Sequence, residues 1–429
     1  MIWYKKLNNK QEKDRFTFDS RIDYPLILPA ISIIIIGFYA LYVALSHDYP
    51  TQVKQMMAQQ ATWAVIGIIL AFIVMHLNSK VLWQATPLFY GIGLLLLALP
   101  LQFYSPSMYA STGAKNWIAI GDTNLFQPSE FMKVAYILML SWLIVRFQKL
   151  QKERNLIEDL KLLGLMILVT IPIAFLSALQ KDFGTFVVFG VIFLGMLFVS
   201  GISWKLLLPI FGLGAGLFAG ITYLTTQTWG QKLLGGAFGH YQINRFIAWL
   251  HPFDYMQGFS RQQALSLISI GSGGLYGKGL NVVSVPVPVR ESDMIFTVIA
   301  EDFGFIGSVL LVILYFFLIY RMIRATYKSN NAFYIYISTG VIMMFLFHIF
   351  ENIGAAAGVV PLTGIPLPLV SQGGSALIAD IIAIGLVLSM KYNQLPDFAT
   401  TDQDMKNKLA KKRIQRAKQR QKKKDTDKK

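Results

Sequence analysis

The chain has 429 residues, no cysteine, 54% hydrophobic residues, only 14% charged ones and a formal net charge of +16. A soluble chain of this length would have about a quarter of its residues charged. The composition excludes an ordinary soluble enzyme, a disordered protein and a disulfide-stapled secreted fold, and leaves an all-α polytopic membrane protein.

A helix crossing a bilayer needs about 20 mostly apolar residues. In chain order ten runs qualify: 25–45, 62–77, 82–100, 129–145, 162–179, 183–200, 206–224, 295–320, 332–354 and 373–390. The first has polar residues before it and no small-residue cleavage site directly after it, so it is expected to be its own insertion signal. An even number of spans places both termini on one side, and positive charge selects that side. With both termini cytoplasmic, 30 of the 39 Lys and Arg lie inside, including Arg146, Lys149, Lys152, Arg154, Arg321, Arg324 and Lys328 in short loops. The expected organisation is a cytoplasmic segment 1–24, a ten-helix membrane domain 25–392 and a disordered basic cytoplasmic tail 393–429. An extracellular segment at about 225–294 separates the seventh and eighth helices. From Met405 to Lys429 the tail has thirteen Lys and Arg against two Asp. It suits anionic lipid headgroups, and no nucleic-acid partner is expected. No internal repeat of the transporter kind is visible.

The loop 101–128 carries Gly113-Ala114-Lys115-Asn116-Trp117. Glu130 and Lys133 then open the fourth span. Ionisable groups at membrane depth are expensive and so are candidates for function. Helix-start chemistry explains them equally: Pro128 and Ser129 begin a helix, Glu130 suits its positive end, and Lys133 pairs with Glu130. Both readings hold if the pair fixes Lys133 beside a substrate anion. Gln180-Lys181-Asp182-Phe183-Gly184-Thr185 is a tight turn, for which turn chemistry alone accounts. In the long outer segment Arg245, Arg261, Lys278 and Arg290 suit an anionic ligand or lipid headgroups. The Gly-rich run 271–279 invites a nucleotide-loop reading, which fails because Lys278 is followed by Gly279.

The stretch Glu291–Asp302 begins the eighth span. If it is helical, Asp293, Thr297 and Glu301 stack on one face. A carboxylate there can take a proton from a hydroxyl or hold a divalent cation; alternatively Ser292 or Asp293 caps the helix. The segment 355–375 is rich in Pro and Gly and ends in Ser371-Gln372-Gly373-Gly374-Ser375. Free N–H groups at that helix start would attract phosphate, and a bare turn is the other reading. Irregular backbone of this kind at membrane depth needs protein or a water-filled cavity to supply its hydrogen bonds. Chemistry is therefore expected on the outer face. With five scattered His and no Cys, neither a zinc site nor an organic cofactor is expected.

Together and in this order, these segments resemble the SEDS family (shape, elongation, division, sporulation) over roughly residues 20–392. The matching residues are Gly113–Trp117, Phe126–Glu130 with Lys133, Gln180–Thr185, Ile268–Gly279, Asp293–Phe296 through Glu301 to Gly304, Asn352–Gly354, Pro361–Pro368 and Ser371–Ser375. The resemblance implies a peptidoglycan glycosyltransferase that polymerises lipid II at the outer face of the cell membrane. It further implies a class B penicillin-binding protein and elongation-complex membrane proteins as partners. The Glu291–Phe296 wording and Gln372 resemble the elongation branch, RodA, more than the division branch, FtsW. The chain departs from the family at Asn116, where a second Arg is usual, and at Lys181, where Pro is frequent.

The resemblance makes Asp293 the essential carboxylate, as a base or as a ligand of Mg²⁺ or Mn²⁺. Lys115, Glu130, Lys133, Asp182, Arg245, Glu301, Ser371, Gly373 and Gly374 are the expected substrate-binding residues. Two other classes also fit. A lipid II flippase or other polytopic lipid transporter accommodates ten spans and the membrane residues His348, Glu351 and Asp380. A non-enzymatic scaffold for a penicillin-binding protein would make Asp293 dispensable.

Overall fold

The computed structural model describes residues 21–393, apart from 122, 152–154 and 239. The expected basic tail, most of the cytoplasmic segment 1–24, and the loop cations Lys152 and Arg154 lie outside the described residues. Fourteen α-helices and one β-hairpin are described. The helices are α1 Tyr24–Asp48, α2 Val53–His76, α3 Ser79–Ala98, α4 Pro106–Thr112, α5 Pro128–Leu150, α6 Leu156–Gln180 and α7 Phe183–Val199. They continue with α8 Trp204–Thr226, α9 Thr228–Phe238, α10 His240–Leu250, α11 Arg261–Ser272, α12 Ile295–Lys328, α13 Ala332–Ala356 and α14 Gly374–Tyr392. The hairpin pairs β1 Ile118–Ile120 with β2 Thr123–Phe126, antiparallel.

Each expected apolar run lies within an α-helix to within two residues at its ends. Eight helices, α1, α2, α3, α6, α8, α12, α13 and α14, are long and apolar enough to cross a membrane. The apolar α7 has 17 residues. Helix α5 has 23 residues but carries Glu130, Lys133, Arg146 and Lys149. The protein is a helical, multi-pass membrane protein.

Several helices overrun their apolar runs, because polar helix formers extend them. Helix α2 starts at Val53 through Gln55, Met56, Met57, Ala58 and Gln59, all good or fair helix formers. Gln60 is buried there and donates to the Ser371 carbonyl at 3.2 Å. Asn side chains close other helix starts: Asn78 accepts from the Val81 N–H at 3.0 Å and Asn155 from the Glu158 N–H at 2.9 Å. In the bundle α14 runs along α2, α12 along α1, α5 along α3 and α13 along α7. Small residues permit the closest approach: a Cβ at Gly385 would strike the Ala71 backbone. Of the eight candidate spans, α13 and α14 are the most enclosed, and α8 is the least.

The segment 225–294 is not an open loop, because it folds into α9, α10 and α11. Helix α12 is broken at Gly304, with φ 63° and ψ −157°. The chain after α11 inserts at the break and satisfies the freed backbone. The Phe305 N–H donates to Gly274 at 2.9 Å, and the Lys278 N–H donates to Glu301 at 2.9 Å. A Cβ at Gly304 would run into the Gly277 nitrogen and the Leu275 carbonyl. Gly304→Ala is expected to cost about 1–3 kcal/mol, since that backbone region is essentially restricted to glycine. The readout is a lowered melting temperature in detergent; an unchanged value would show that the insertion relaxes freely.

Candidate active site

A cavity of about 1020 Å³ opens at one end of the bundle. There the loop 101–128, the α6–α7 turn, α10, the segment before α12 and the segment 360–373 meet. Leu217, Phe218 and Ile221 of α8 and Phe347 and Phe350 of α13 give it an apolar side.

Asp293 lines this cavity. The expected stack of Asp293, Thr297 and Glu301 does not form, because α12 begins only at Ile295 and its cap position is Met294, with no side-chain capping bond. Tertiary contacts hold residues 289–294 out of helical geometry. Arg290 is buried, and its Nε and Nη2 donate to the two carboxylate oxygens of Asp48, each at 2.6 Å. The Ser371 hydroxyl donates to the Ser292 carbonyl at 2.6 Å, and the Gln372 N–H donates to the Glu291 carbonyl at 2.9 Å. Asn352 Nδ2 donates to the Asp293 carbonyl at 2.8 Å. The backbone of Asp293 is thus fixed, and its carboxylate stands in the cavity wall. Burial pushes the neighbouring Glu291 carboxyl above its usual range, and the charges of Asp48 and Asp293 add to that shift.

Arg245 faces the same space from α10. Apolar Ile243, Phe246, Ile247 and Leu250 recur at helical spacing along that element. Its Nη1 donates to the Leu362 carbonyl at 3.0 Å and its Nη2 to the Tyr241 hydroxyl at 2.5 Å. Gly364, at φ 83°, lies between cation and carboxylate. A Cβ there would sit 3.2 Å from both terminal nitrogens of Arg245 and 3.4 Å from Asp293 Oδ2. No other residue could pass so close at that backbone angle.

Glu130 and Lys133 also line the cavity and form an ion pair at 2.8 Å, both almost fully buried. Lys133 Nζ lies 3.2 Å from His348 Nε2. An ammonium has no acceptor, so that ring nitrogen accepts. Asp182 is the N-cap of α7. Its Oδ1 accepts from the Thr185 N–H at 3.1 Å; its Oδ2 accepts from the Thr185 hydroxyl at 2.8 Å and from Asn116 Nδ2 at 2.9 Å. It lines the wall and ties the loop 101–128 to the α6–α7 turn. Gly373 also lines the cavity, and its N–H donates to Gln60 Oε1 at 3.3 Å.

Four expected substrate-binding residues stand outside the lining. Lys115 lies over the rings of Tyr104 and Tyr109, at 4.1 and 4.9 Å from their centres, an attraction that holds it aside. Glu301 is turned into the α11–α12 packing, with Lys278 Nζ at 2.7 Å, the Ser284 N–H at 2.9 Å and the Ser269 hydroxyl at 3.0 Å. The Ser371 hydroxyl is used by the Ser292 carbonyl and the Leu367 N–H. Gly374 packs on the Trp63 ring, where a Cβ would collide. Glu351 and Thr363, in contrast, do line the cavity. The sequence signal for Glu351 was the cost of a carboxylate in an apolar span.

The cavity thus joins an apolar wall to a cluster of carboxylates and cations, which suits an amphiphile with an anionic head. Residues 24–395 match the FTSW_RODA_SPOVE family, cell cycle protein. The chain is similar to a probable peptidoglycan glycosyltransferase FtsW of Coxiella burnetii, 31% identical over 76% of this chain and 84% of that one. It is also similar to the peptidoglycan glycosyltransferase RodA of Treponema pallidum, 29% identical over 88% of this chain and 99% of that one. Its fold is similar to that of a chain solved in a peptidoglycan synthase complex that coordinates polymerization and crosslinking. The TM-score is 0.69 and the identity 29%, covering 88% of this chain and 99% of that one. With the motifs, the helical bundle and the cavity in agreement, this chain belongs to the FtsW/RodA/SpoVE family, the SEDS proteins.

Proposed function

We propose that this protein is a peptidoglycan glycosyltransferase that joins lipid II units into glycan strands, with Asp293 as its base. The observation that carries this reading is one amphiphilic cavity holding the Asp293 carboxylate together with Arg245 and the Glu130–Lys133 pair. A sugar 4-hydroxyl is a poor nucleophile near neutral pH, and a positioned carboxylate assists it. The hydroxyl proton passes to Asp293 as the oxygen bonds to the anomeric carbon of the second unit. The bond from that carbon to the lipid diphosphate breaks, and the diphosphate leaves with the electron pair. Direct displacement inverts the carbon, from an α-linked lipid to a β-linked glycan. Arg245 and Lys133 face the charge that develops on the diphosphate, and the apolar side by α8 and α13 receives the prenyl chain.

Among the described residues no three His, Cys, Asp or Glu are grouped to hold a metal. An Mg²⁺ or Mn²⁺ ion would therefore share Asp293 with substrate oxygens and supply Lewis-acid stabilisation to the diphosphate. The ten apolar runs support ten spans, and the Lys and Arg bias supports cytoplasmic termini and a cavity on the extracellular face of the cell membrane. The likeness to a chain from a peptidoglycan synthase complex supports a class B penicillin-binding protein as partner, and the Glu291–Phe296 wording supports an elongation role. The test is polymerisation of lipid II by the purified protein in liposomes, alone and with its cognate penicillin-binding protein, with and without Mg²⁺ or Mn²⁺. Glycan ladders are expected. Scrambling of labelled lipid II across the bilayer with no ladder would favour the flippase.

A further inference from the structure

We propose that Glu351 is a substrate-binding residue that accepts a hydrogen bond from a sugar O–H or amide N–H of the lipid-linked saccharide. This deepens the glycosyltransferase reading and rests on it. Glu351 lies on α13 and lines the cavity with Asp293 and Arg245, whose charges both reach it. Only 2% of the residue is exposed. Its Oε1 accepts from the Thr363 N–H at 2.7 Å and also from the Thr363 hydroxyl. Its Oε2 is buried and has no hydrogen-bond partner among the described residues. A buried carboxylate oxygen without a donor is costly, and folded proteins nearly always provide one.

No neighbouring donor reaches Oε2 among the described residues. Asn352 Nδ2 spends both of its hydrogens on the carbonyls of Asp293 and Ile365, and the hydrogen bonds of the Arg245 terminal nitrogens run to the Leu362 carbonyl and the Tyr241 hydroxyl. Thr363 holds Oε1 in place, so the donor for Oε2 comes from what enters the cavity. Charge selects its class. An ionised diphosphate has no N–H or O–H to offer Oε2 and would be repelled by Asp293, whereas sugar hydroxyls and acetamido N–H groups are neutral donors. Glu351 therefore marks the saccharide side of the cavity, and the diphosphate is left to Arg245 and Lys133.

Glu351→Gln keeps the side-chain size and an acceptor for Thr363 but turns the free oxygen into a donor. With the full-length protein in liposomes, KM for lipid II is expected to rise about tenfold with kcat within about twofold, the pattern of a lost binding contact. The melting temperature is expected to stay unchanged, and Glu351→Asp is expected to give an intermediate KM. The same substitution in an Asp293→Ala background is read without turnover. Labelled lipid II is expected to bind about tenfold more weakly, whereas undecaprenyl diphosphate, which lacks the sugars, binds both backgrounds equally. Unchanged KM and unchanged lipid II binding would overturn the proposal. So would equal weakening for undecaprenyl diphosphate, or a fall in kcat alone. A wild-type protein that makes no glycan would remove the glycosyltransferase reading itself, and the binding comparison would still decide whether Glu351 holds the saccharide.

Discussion

Asp293→Asn is expected to lower lipid II polymerisation by about 10²–10⁴-fold, the usual contribution of a positioned general base. The amide has nearly the same shape as the carboxylate but cannot take the hydroxyl proton. The fold is expected to tolerate the change, because the surrounding structure grips the backbone of this residue: Asn352 Nδ2 binds its carbonyl, and the flanking Arg290 is locked to Asp48. Melting temperature and co-purification with the proposed penicillin-binding protein partner are therefore expected to match wild type, which separates a chemical defect from a structural one. A variant that still formed ladders at the wild-type rate would take Asp293 out of the chemistry. A defect relieved by high Mn²⁺ would make it an ion ligand, since a neutral oxygen binds a hard cation more weakly than a carboxylate does.

What the sequence made legible follows the range of the forces involved. Long apolar runs report helices of membrane-crossing length directly, so all ten lie within α-helices to within two residues at their ends. The order of the motifs pointed to the loop 101–128, the Asp182 turn and Asp293, all of which contribute to the cavity wall, although Lys115 itself does not. The local geometry of Asp293 was not legible. Helical periodicity predicted a stack with Glu301, but Arg290 reaches back to Asp48 at the end of α1, and that long-range pair keeps the segment out of the helix. Glu301 shows the same limit, because its partners Lys278 and Ser284 come from the chain inserted at the Gly304 break. The amphipathic pattern of α10 was present in Ile243, Phe246, Ile247 and Leu250, but aromatic and polar residues around it masked the element. The segment 360–373 posed a different problem. It acts largely through its backbone: the Leu362 carbonyl holds Arg245, the Thr363 N–H holds Glu351, and the Ile365 carbonyl holds Asn352. Backbone groups leave no residue-type signal beyond the glycines that let them approach.

Lys133→Met is expected to cost about 3–5 kcal/mol, because it leaves the carboxylate of Glu130 buried without its counter-charge. Both members of the pair are nearly inaccessible, at 3% and 2% exposure, and His348 Nε2 would also lose its donor. Low folded yield and a marked drop in melting temperature are the expected readouts, and loss of activity in this variant alone would say nothing of chemistry. The double variant Glu130→Gln with Lys133→Met resolves this. Replacing a buried ion pair with neutral groups of similar volume is often close to neutral for stability, so melting temperature is expected to recover most of its loss. Polymerisation is not expected to recover, because on the proposed mechanism the cavity has lost the buried ammonium that faces the departing diphosphate, where fixed positive charge acts in a poorly solvated site. Recovery of both fold and activity in the double variant would make the pair a helix-start device only and would leave Arg245 as the cation facing the diphosphate.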